Sequence, residues 1–132
     1  MARVCAILVV EDDGDLGALM RDLLDIEGYS VTWATDYAKA ATALRTACFD
    51  AILLDTPGAP LTADHWGAMA RLQALAGGTP VILFTAHHTE AIADHAAHGF
   101  AAAIRKPFQL DDLLAVINRT LPDDCDADSD AA

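Results

Sequence analysis

Basic residues are scarce in this sequence of 132 residues. Lysine and arginine together number 8, against 20 aspartate and glutamate residues, so the formal net charge is −12. Five of the acids lie in the last ten residues, and the chain remains acidic without them. Binding to DNA or RNA depends on Lys and Arg side chains that neutralise phosphates. We therefore predict that this chain makes no direct contact with nucleic acid.

Long apolar runs are absent as well. The runs at residues 6–10 and 51–54 are among the longest, whereas a helix that spans a bilayer needs about 20 apolar residues. The first residues show no basic region followed by a long apolar stretch, so no signal peptide is expected. The sequence therefore predicts a cytoplasmic protein without a membrane segment.

Cysteines are few and far apart. Cys5, Cys48 and Cys125 form no C-x-x-C pair, and their number is odd. This spacing predicts no disulfide framework. Cys5 lies in an apolar run and is expected to be a small buried side chain, whereas Cys125 lies in a polar tail.

Short apolar runs alternate with amphipathic helical stretches along the chain. The runs that predict strands are residues 4–10, 30–34, 49–54, 80–84 and 101–105, and each is followed by a predicted helix. Five βα units in series predict an α/β fold with a doubly wound, five-stranded parallel sheet. We predict one domain at residues 1–122. Residues 123–132 are expected to form an acidic, disordered tail or the start of a linker.

Polar side chains follow four of the five predicted strands. They are, in chain order, Glu11-Asp12-Asp13, Asp55, Thr85 and Lys106. Ligands of doubly wound sheets bind beyond the carboxyl ends of the strands, so these side chains are candidates for one site. Neighbouring carboxylates repel and raise one another's pKa, and Mg²⁺ relieves this repulsion in a site with few carboxylates. Together with a lysine and a hydroxyl, they predict phosphoryl transfer with an aspartate nucleophile.

Four motifs carry a specific resemblance. The segments ILVVEDD at 7–13, ILLD at 52–55, VILFTA at 81–86 and RKPF at 105–108 resemble the receiver domains of two-component response regulators, the CheY-like superfamily. The resemblance covers about residues 4 to 121. It implies a flavodoxin-like strand order of 2-1-3-4-5 and a signalling phosphoacceptor, not an enzyme acting on other molecules.

The resemblance also implies a role for each matching residue. Asp55 matches the phosphoacceptor, which also contacts the metal. Glu11 and Asp12 match the acidic pair that binds Mg²⁺, and the backbone carbonyl of Pro57 would complete the protein ligands. Asp13 fits a helix-start acid as well as it fits a ligand.

Two further positions match residues that act on the phosphoryl group. Thr85 matches the hydroxyl residue that shifts toward this group. Lys106 matches the lysine that pairs with the phosphorylated carboxylate, and its peptide bond to Pro107 is usually cis in the family.

The resemblance implies partners of two kinds. A sensor histidine kinase or a phosphotransfer protein would donate the phosphoryl group. A downstream protein or an output domain would bind the face formed by the fourth helix, fifth strand and fifth helix, and a homodimer is a further form that the family adopts.

Two positions depart from the family. Pro57 stands two residues after the acceptor, where a proline fixes φ and removes an N–H donor beside the site. Ala103 stands where many receivers carry Tyr or Phe, and Phe100 is not at the matching position. We therefore expect movement of Thr85 to be relayed by backbone and helix shifts and not by a swinging ring.

Histidines cluster around the fourth predicted helix, outside these motifs. They are His87, His88, His95 and His98. They fit an output face that responds to pH or to metal, but a solvated helix face is the interpretation that we favour. His87 stands two residues after Thr85, where it would either control the access of water to Asp55 or lie exposed.

Other functions fit less well. A phosphatase of the haloacid-dehalogenase type also uses an aspartate and Mg²⁺, but it places a second Asp where this sequence has Pro57. A flavodoxin-type FMN-binding protein would need a strand-end phosphate loop of Ser, Thr or Gly, which this sequence lacks. A P-loop nucleotide-binding protein is excluded because the motif G-x-x-x-x-G-K-S/T is absent. A receiver-like binding module that works without phosphorylation remains an alternative. Pro57 and Ala103 favour this module, whereas the retained acids, Thr85 and Lys106 oppose it.

Overall fold

A five-stranded parallel sheet forms the centre of the protein in the computed structural model, which describes residues 3–56, 62–85 and 89–126. The strands are β1 (Arg3–Val4), β2 (Ala6–Val10), β3 (Ser30–Ala34), β4 (Ala51–Asp55), β5 (Val81–Thr85), β6 (Ala102–Arg105) and β7 (Cys125–Asp126). The helices are α1 (Gly14–Ile26), α2 (Tyr37–Thr46), α3 (Ala63–Ala76), α4 (Thr89–Asp94) and α5 (Leu110–Thr120).

The strand order of the central sheet is β3-β2-β4-β5-β6, and every neighbouring pair is parallel. Strands β2 to β6 correspond to the first to fifth strands predicted from the sequence. The predicted doubly wound α/β fold and the order 2-1-3-4-5 are therefore confirmed.

Alternate side chains of each central strand enter two separate cores. In β2, Ile7 and Val9 pack with α1 and α5, whereas Leu8 and Val10 pack with α2 and α3 on the other face. Ile7, Leu8 and Val9 are fully buried, and each such side chain stabilises the fold by roughly 1.5–3 kcal/mol. A strand covered on both faces is apolar throughout, which explains the continuous apolar runs in the sequence.

Side-chain caps fix the start of the helices that follow β2 and β3. Asp13 accepts hydrogen bonds from the backbone N–H groups of Asp15 and Leu16, at 2.9 and 3.1 Å, and so caps α1. Asp36 accepts from the N–H of Lys39 at 2.7 Å and caps α2, as predicted. Each cap stabilises its helix by about 1 kcal/mol.

Helix α1 lies directly against β3 at Gly17. A Cβ atom at this position would overlap the indole ring of Trp33, so only glycine permits this approach. The indole Nε1–H of Trp33 in turn donates to the backbone carbonyl of Glu11 at 3.0 Å. The contact therefore fixes the backbone where β2 leaves the sheet.

The first and last described segments meet at the edge of the molecule opposite the carboxyl ends of the strands. Strand β1 pairs in parallel with β7, so the predicted strand at 4–10 is divided, and only Ala6–Val10 belongs to the central sheet. Residues 123–126 therefore fold against the N-terminal segment, and the structure differs here from the expected disorder. The rest of the predicted tail, residues 127–132, lies outside the described residues.

A disulfide joins Cys5 to Cys125 across these paired segments. Both cysteines are buried, and their Cα atoms are 4.9 Å apart. The sequence prediction of no disulfide is wrong, because 120 residues separate the two positions and no local spacing indicates the pairing. Cys48 is exposed and carries a free thiol.

An ion pair lies beside the disulfide. Arg3 donates two hydrogen bonds to the Asp50 carboxylate, at 2.7 and 2.6 Å. The same carboxylate accepts from the backbone N–H of Ala6 at 2.7 Å. The Arg3 hydrogen bonds lower the pKa of Asp50, against the opposite effect of burial. The pair attaches the N-terminal segment to the turn that precedes β4.

The region after β5 is less regular than the sequence predicts. Helix α4 ends at Asp94, and a 3-10 turn at Ala96–His98 follows it, where one helix over 89–97 was expected. Gly99 has a φ of 85°, a left-handed conformation that favours glycine. Within the described ranges, no helix is long and apolar enough to cross a membrane.

Candidate phosphoacceptor site

Three carboxylates meet at the carboxyl ends of β2 and β4. The two strands are adjacent, and Val10 lies opposite Leu54 in their register, so the residues that follow them are neighbours. Carboxylate oxygens of Glu11, Asp12 and Asp55 lie within 4.8 Å of one another. The structure thus brings together the three side chains that the sequence predicted as metal ligands.

Lys106 joins two of these carboxylates. Its Nζ donates to Asp55 Oδ1 at 2.9 Å and to Glu11 Oε1 at 3.0 Å. The same Nζ lies 4.6 Å from the centre of the Phe84 ring, within the range of a cation–π contact. The lysine is held at the strand ends because its backbone N–H donates to the carbonyl of Thr85 at 2.7 Å. The Lys106–Pro107 peptide bond is cis, as the resemblance implies.

The environment of Glu11 is unusual for a carboxylic acid. Its side chain is only 1% exposed. Burial and the neighbouring Asp55 carboxylate raise the pKa of Glu11 to about 8, although Lys106 acts in the opposite direction. Burial lowers the pKa of Lys106, but the hydrogen bonds to Asp55 and Glu11 outweigh this effect, so its pKa is raised. The cluster thus holds three carboxyl groups, and Lys106 donates to two of them.

The residues present fit a hard divalent cation. Glu11 Oε2 is buried and, among the described residues, has no hydrogen-bond partner. An orphaned carboxylate oxygen is costly in a protein interior unless a cation or a donor reaches it. Two further carboxylates lie close to it, and Mg²⁺ in proteins is bound through such oxygens together with water.

Two other predicted positions have different outcomes. Asp13 caps α1 and is not part of the acidic cluster, so the structure favours its role as a helix-start acid. Pro57, whose carbonyl was expected to contact the metal, lies outside the described residues.

Thr85 lies on the strand next to Asp55. In the register of β4 and β5, Asp55 is opposite Phe84, so Thr85 is one residue further along. Its side chain is 1% exposed. The Thr85 Oγ1 atom lies 3.0 Å from Oγ1 of Thr56, at hydrogen-bond distance.

Sequence reasoning missed Thr56 and Tyr37. The Tyr37 hydroxyl donates to the backbone carbonyl of Asp55 at 2.8 Å. Burial, followed by the charges of Asp55 and Asp12, raises the pKa of this phenol, so it remains a donor at neutral pH. Neither residue stands in a recognised motif. Only the position of Thr56 directly after the acceptor could have drawn attention to it.

A cleft of about 390 Å³ opens beside the carboxylates. Its walls include Glu11, Asp12, Tyr37, Asp55 and His65. Asp55 is 17% exposed and is reachable from solvent through this cleft.

The departures in the switch region are visible in the structure. Ala103 lies opposite Leu83 in the sheet register, so this position carries no ring. Phe100 is buried in the core between the sheet and α3 and lies 6.3 Å from the Trp66 ring. It is therefore a core residue.

The described histidines near α4 make contacts within the protein. The His98 ring stacks on Trp66 with 3.7 Å between ring centres. The His95 Nδ1 atom lies 2.7 Å from the backbone carbonyl of Ile92. The predicted His87 and His88 positions lie outside the described residues, so the expected histidine face stays a prediction.

Comparison with known proteins gives the family. The sequence matches the response regulator receiver domain over residues 7–118. The chain belongs to this family.

Curated relatives of the chain include a transcriptional regulatory protein and a response regulator protein. The chain is 36% identical to the transcriptional regulatory protein TcrA of Mycobacterium tuberculosis, over 83% of this chain and 43% of the relative. It is 38% identical to the response regulator protein PmrA of Pseudomonas aeruginosa, over 83% of this chain and 49% of that protein. The chain thus spans about half the length of the curated relatives it matches.

Solved structures agree with this assignment. The chemotaxis protein CheY4 of Vibrio cholerae has a TM-score of 0.76 at 25% identity, covering 89% of this chain and 99% of that one. The receiver domain of HemR from Leptospira biflexa has a TM-score of 0.70 at 27% identity, covering 88% of this chain and 93% of that one.

Proposed function

We propose that this chain is a phosphoacceptor receiver domain of a two-component system, in which Asp55 takes a phosphoryl group from a histidine kinase or a phosphotransfer protein. The observation that carries the proposal is the pair of hydrogen bonds from Lys106 Nζ to Asp55 and Glu11, at 2.9 and 3.0 Å. Lys106 thus places a positive charge on the partly exposed carboxylate of Asp55, next to the buried Glu11. A phosphorylated aspartate needs such a positive charge beside it.

The proposed reaction is a phosphoryl transfer to a carboxylate. An oxygen of Asp55 forms a bond to phosphorus while the bond from phosphorus to the donor breaks. The donor nitrogen of a phosphohistidine, or the acetate of acetyl phosphate, leaves with the electron pair. The product is an acyl phosphate on Asp55, and the only bond that breaks is the one between phosphorus and the donor.

Each described residue of the site has a part in this transfer. Lys106 neutralises negative charge on the reacting group. Tyr37 holds the backbone of Asp55 through its hydrogen bond at 2.8 Å. Glu11, Asp12 and Asp55 would hold Mg²⁺, with the carbonyl of Pro57 as a further ligand. When bound, Mg²⁺ would supply positive charge to the phosphoryl oxygens.

The phosphoryl group would then change the protein's conformational equilibrium. Thr85 donates its hydroxyl to a phosphoryl oxygen and Lys106 keeps its contact with the acceptor. Both contacts favour one of two pre-existing conformations, and the equilibrium shifts toward it. The domain catalyses only its own phosphorylation and dephosphorylation.

The output side of the proposal concerns protein contacts. A downstream protein or an output domain would bind the face formed by α4, β6 and α5, and a homodimer is a further form of assembly. The excess of acidic residues supports a role without nucleic-acid contact by this domain. We place the domain in the cytoplasm, where phosphohistidine donors and acetyl phosphate are found.

Intact mass spectrometry tests the proposal. The protein is incubated with acetyl phosphate with and without Mg²⁺, alongside the variant Asp55→Asn. The expected result is a single phosphoryl adduct that requires Mg²⁺ and is absent from the variant. An adduct that persists in Asp55→Asn would refute the assignment. Full binding of a partner without any adduct would support the alternative of a module that works without phosphorylation.

A further inference from the structure

Two buried hydroxyls face each other at the end of the neighbouring strands β4 and β5. Thr56 follows Asp55 directly, and its backbone N–H donates to the carbonyl of Phe84 at 3.4 Å, which continues the strand pairing beyond Asp55. This places Thr56 beside Thr85. The Oγ1 atoms are 3.0 Å apart, and the residues are 7% and 1% exposed.

Breaking the hydrogen bond between these two hydroxyls costs free energy. A buried hydroxyl that loses its partner loses the compensation for its removal from water. The Thr56 hydroxyl donates to Thr85 Oγ1, and the Thr85 oxygen can move only by rotation of the side chain or by a shift of β5. Thr56 is attached to β4 and stays with the acceptor strand.

We propose that Thr56 is a positioning residue that holds the Thr85 hydroxyl in its unphosphorylated place and so opposes the switch. This inference rests on the proposed function, because it needs Thr85 to donate to a phosphoryl group on Asp55. To do so, the Thr85 oxygen must move toward the phosphoryl group and away from the Thr56 hydroxyl that donates to it. The Thr56 bond therefore stabilises the conformation that exists before phosphorylation.

The direction of the effect follows from this competition. In Thr56→Val, the side-chain shape is kept and the hydroxyl is lost, so Thr85 has no Thr56 partner in the unphosphorylated conformation. That conformation loses one hydrogen bond, and the phosphorylated-like conformation does not. A phosphoryl mimic should then bind more tightly, by about 2- to 10-fold for one hydrogen bond.

Binding of beryllium trifluoride, a tetrahedral mimic of the acyl phosphate, tests the proposal. Its affinity is measured by calorimetry in the presence of Mg²⁺ for the wild type, Thr56→Val, Thr56→Ala and Thr56→Ser. We expect tighter binding in the Val and Ala variants and near wild-type binding in Thr56→Ser, which keeps the hydroxyl. Affinity for Mg²⁺ alone should be equal in all four proteins. A merely structural role would not tighten binding, since loss of packing weakens a folded site.

A second background shows whether Thr56 acts through Thr85. In Thr85→Val, the switch hydroxyl is gone, so adding Thr56→Val should leave the affinity for the mimic unchanged. Unchanged or weaker binding in Thr56→Val and Thr56→Ala alone would overturn the inference, as would an equal gain in the Thr85→Val background. If the wild type fails to bind the mimic at Asp55, the proposed function itself fails, and this inference falls with it.

Discussion

Lys106 reaches the carboxylate of Asp55 through a hydrogen bond of 2.9 Å, although 51 residues separate the two in the sequence. The bond exists because β4 and β6 both end at the same edge of a parallel sheet, with β5 between them. Glu11 shares the same ammonium from the neighbouring strand β2. The site is therefore a product of strand order, since the Lys106 ammonium meets both carboxylates only when all three strand ends are in place.

Removal of the lysine should slow phosphorylation. In Lys106→Met, a side chain of similar length remains, but the positive charge beside the reacting group is lost. We expect the rate of Asp55 phosphorylation by acetyl phosphate to fall by about 100-fold. The rate is followed by intact mass against time. Lys39→Met removes an exposed lysine that donates to Thr35, and it should keep the wild-type rate. Equal rates in the two variants would contradict the role of Lys106.

The second prediction concerns the proposed metal site. Glu11→Gln removes the negative charge of the buried carboxylate whose Oε2 is orphaned among the described residues. We expect the affinity for Mg²⁺, measured by calorimetry, to fall by about tenfold or more, because one of three charged ligands is lost. Asp13→Asn is the matched control, since asparagine also caps a helix and Asp13 lies outside the cluster. A larger loss in Asp13→Asn than in Glu11→Gln would reverse the assignment of the two acids.

Much of this site could be predicted because its residues follow apolar runs. Strands β2 and β4 are apolar on both faces, so each is visible in the sequence as an apolar run that ends at a polar residue. Glu11 and Asp55 were found in this way and Lys106 after a shorter run, and the structure places the Lys106 ammonium at hydrogen-bond distance from both carboxylates. The parallel sheet explains why residues so distant in sequence converge.

The contacts that could not be predicted depend on side chains that meet only in the folded protein. The Tyr37 hydroxyl bonds to a backbone carbonyl of Asp55, and Thr56 bonds to Thr85. Neither contact has a sequence spacing that distinguishes it from a chance pair. The pairing of Cys5 with Cys125 was missed for the same reason, since it joins segments 120 residues apart in the sequence.

The disulfide should contribute to stability. It closes a loop of 120 residues, and in the chain-entropy description a loop of about this length stabilises the folded state by roughly 3–5 kcal/mol. We expect the double variant Cys5→Ser/Cys125→Ser to have a lower free energy of unfolding in urea by this amount under oxidising conditions. Addition of a reductant should bring the wild type close to the variant. Most cytosolic proteins keep their thiols reduced, so the comparison of both redox states is informative.

Cys48→Ser is the control for this experiment. Cys48 is exposed and unpaired in the described structure, so its replacement should leave the free energy of unfolding within about 0.5 kcal/mol. An equal stability of the double variant and the oxidised wild type would show that the Cys5–Cys125 bond does not form.

The Arg3–Asp50 pair predicts a dependence on pH. The folded-state pKa of Asp50 is lowered, first by the Arg3 hydrogen bonds. A lowered pKa contributes stability above the ordinary value of about 4, and this contribution is lost as the pH falls through the lower folded value. We expect Asp50→Asn to be less stable than the wild type by about 1–2 kcal/mol at neutral pH. The difference should shrink below about pH 4.

Urea unfolding between neutral pH and about pH 3 measures this difference. Asp22→Asn is the control, because the Asp22 carboxylate pairs with Arg21 on the exposed surface of α1 and such pairs contribute little. A difference between Asp50→Asn and the wild type that stays constant across the pH range would show that ionisation of Asp50 does not contribute.

The central claim is that Asp55 itself carries the phosphoryl group. Borohydride reduces an aspartyl phosphate to homoserine and leaves phosphate esters of threonine intact. After reaction with acetyl phosphate and Mg²⁺, reduction and proteolysis, tandem mass spectrometry locates the modified residue. We expect homoserine at position 55 and unmodified Asp12 and Asp13. Homoserine at another acid, or a borohydride-resistant phosphate on Thr56 or Thr85, would contradict it.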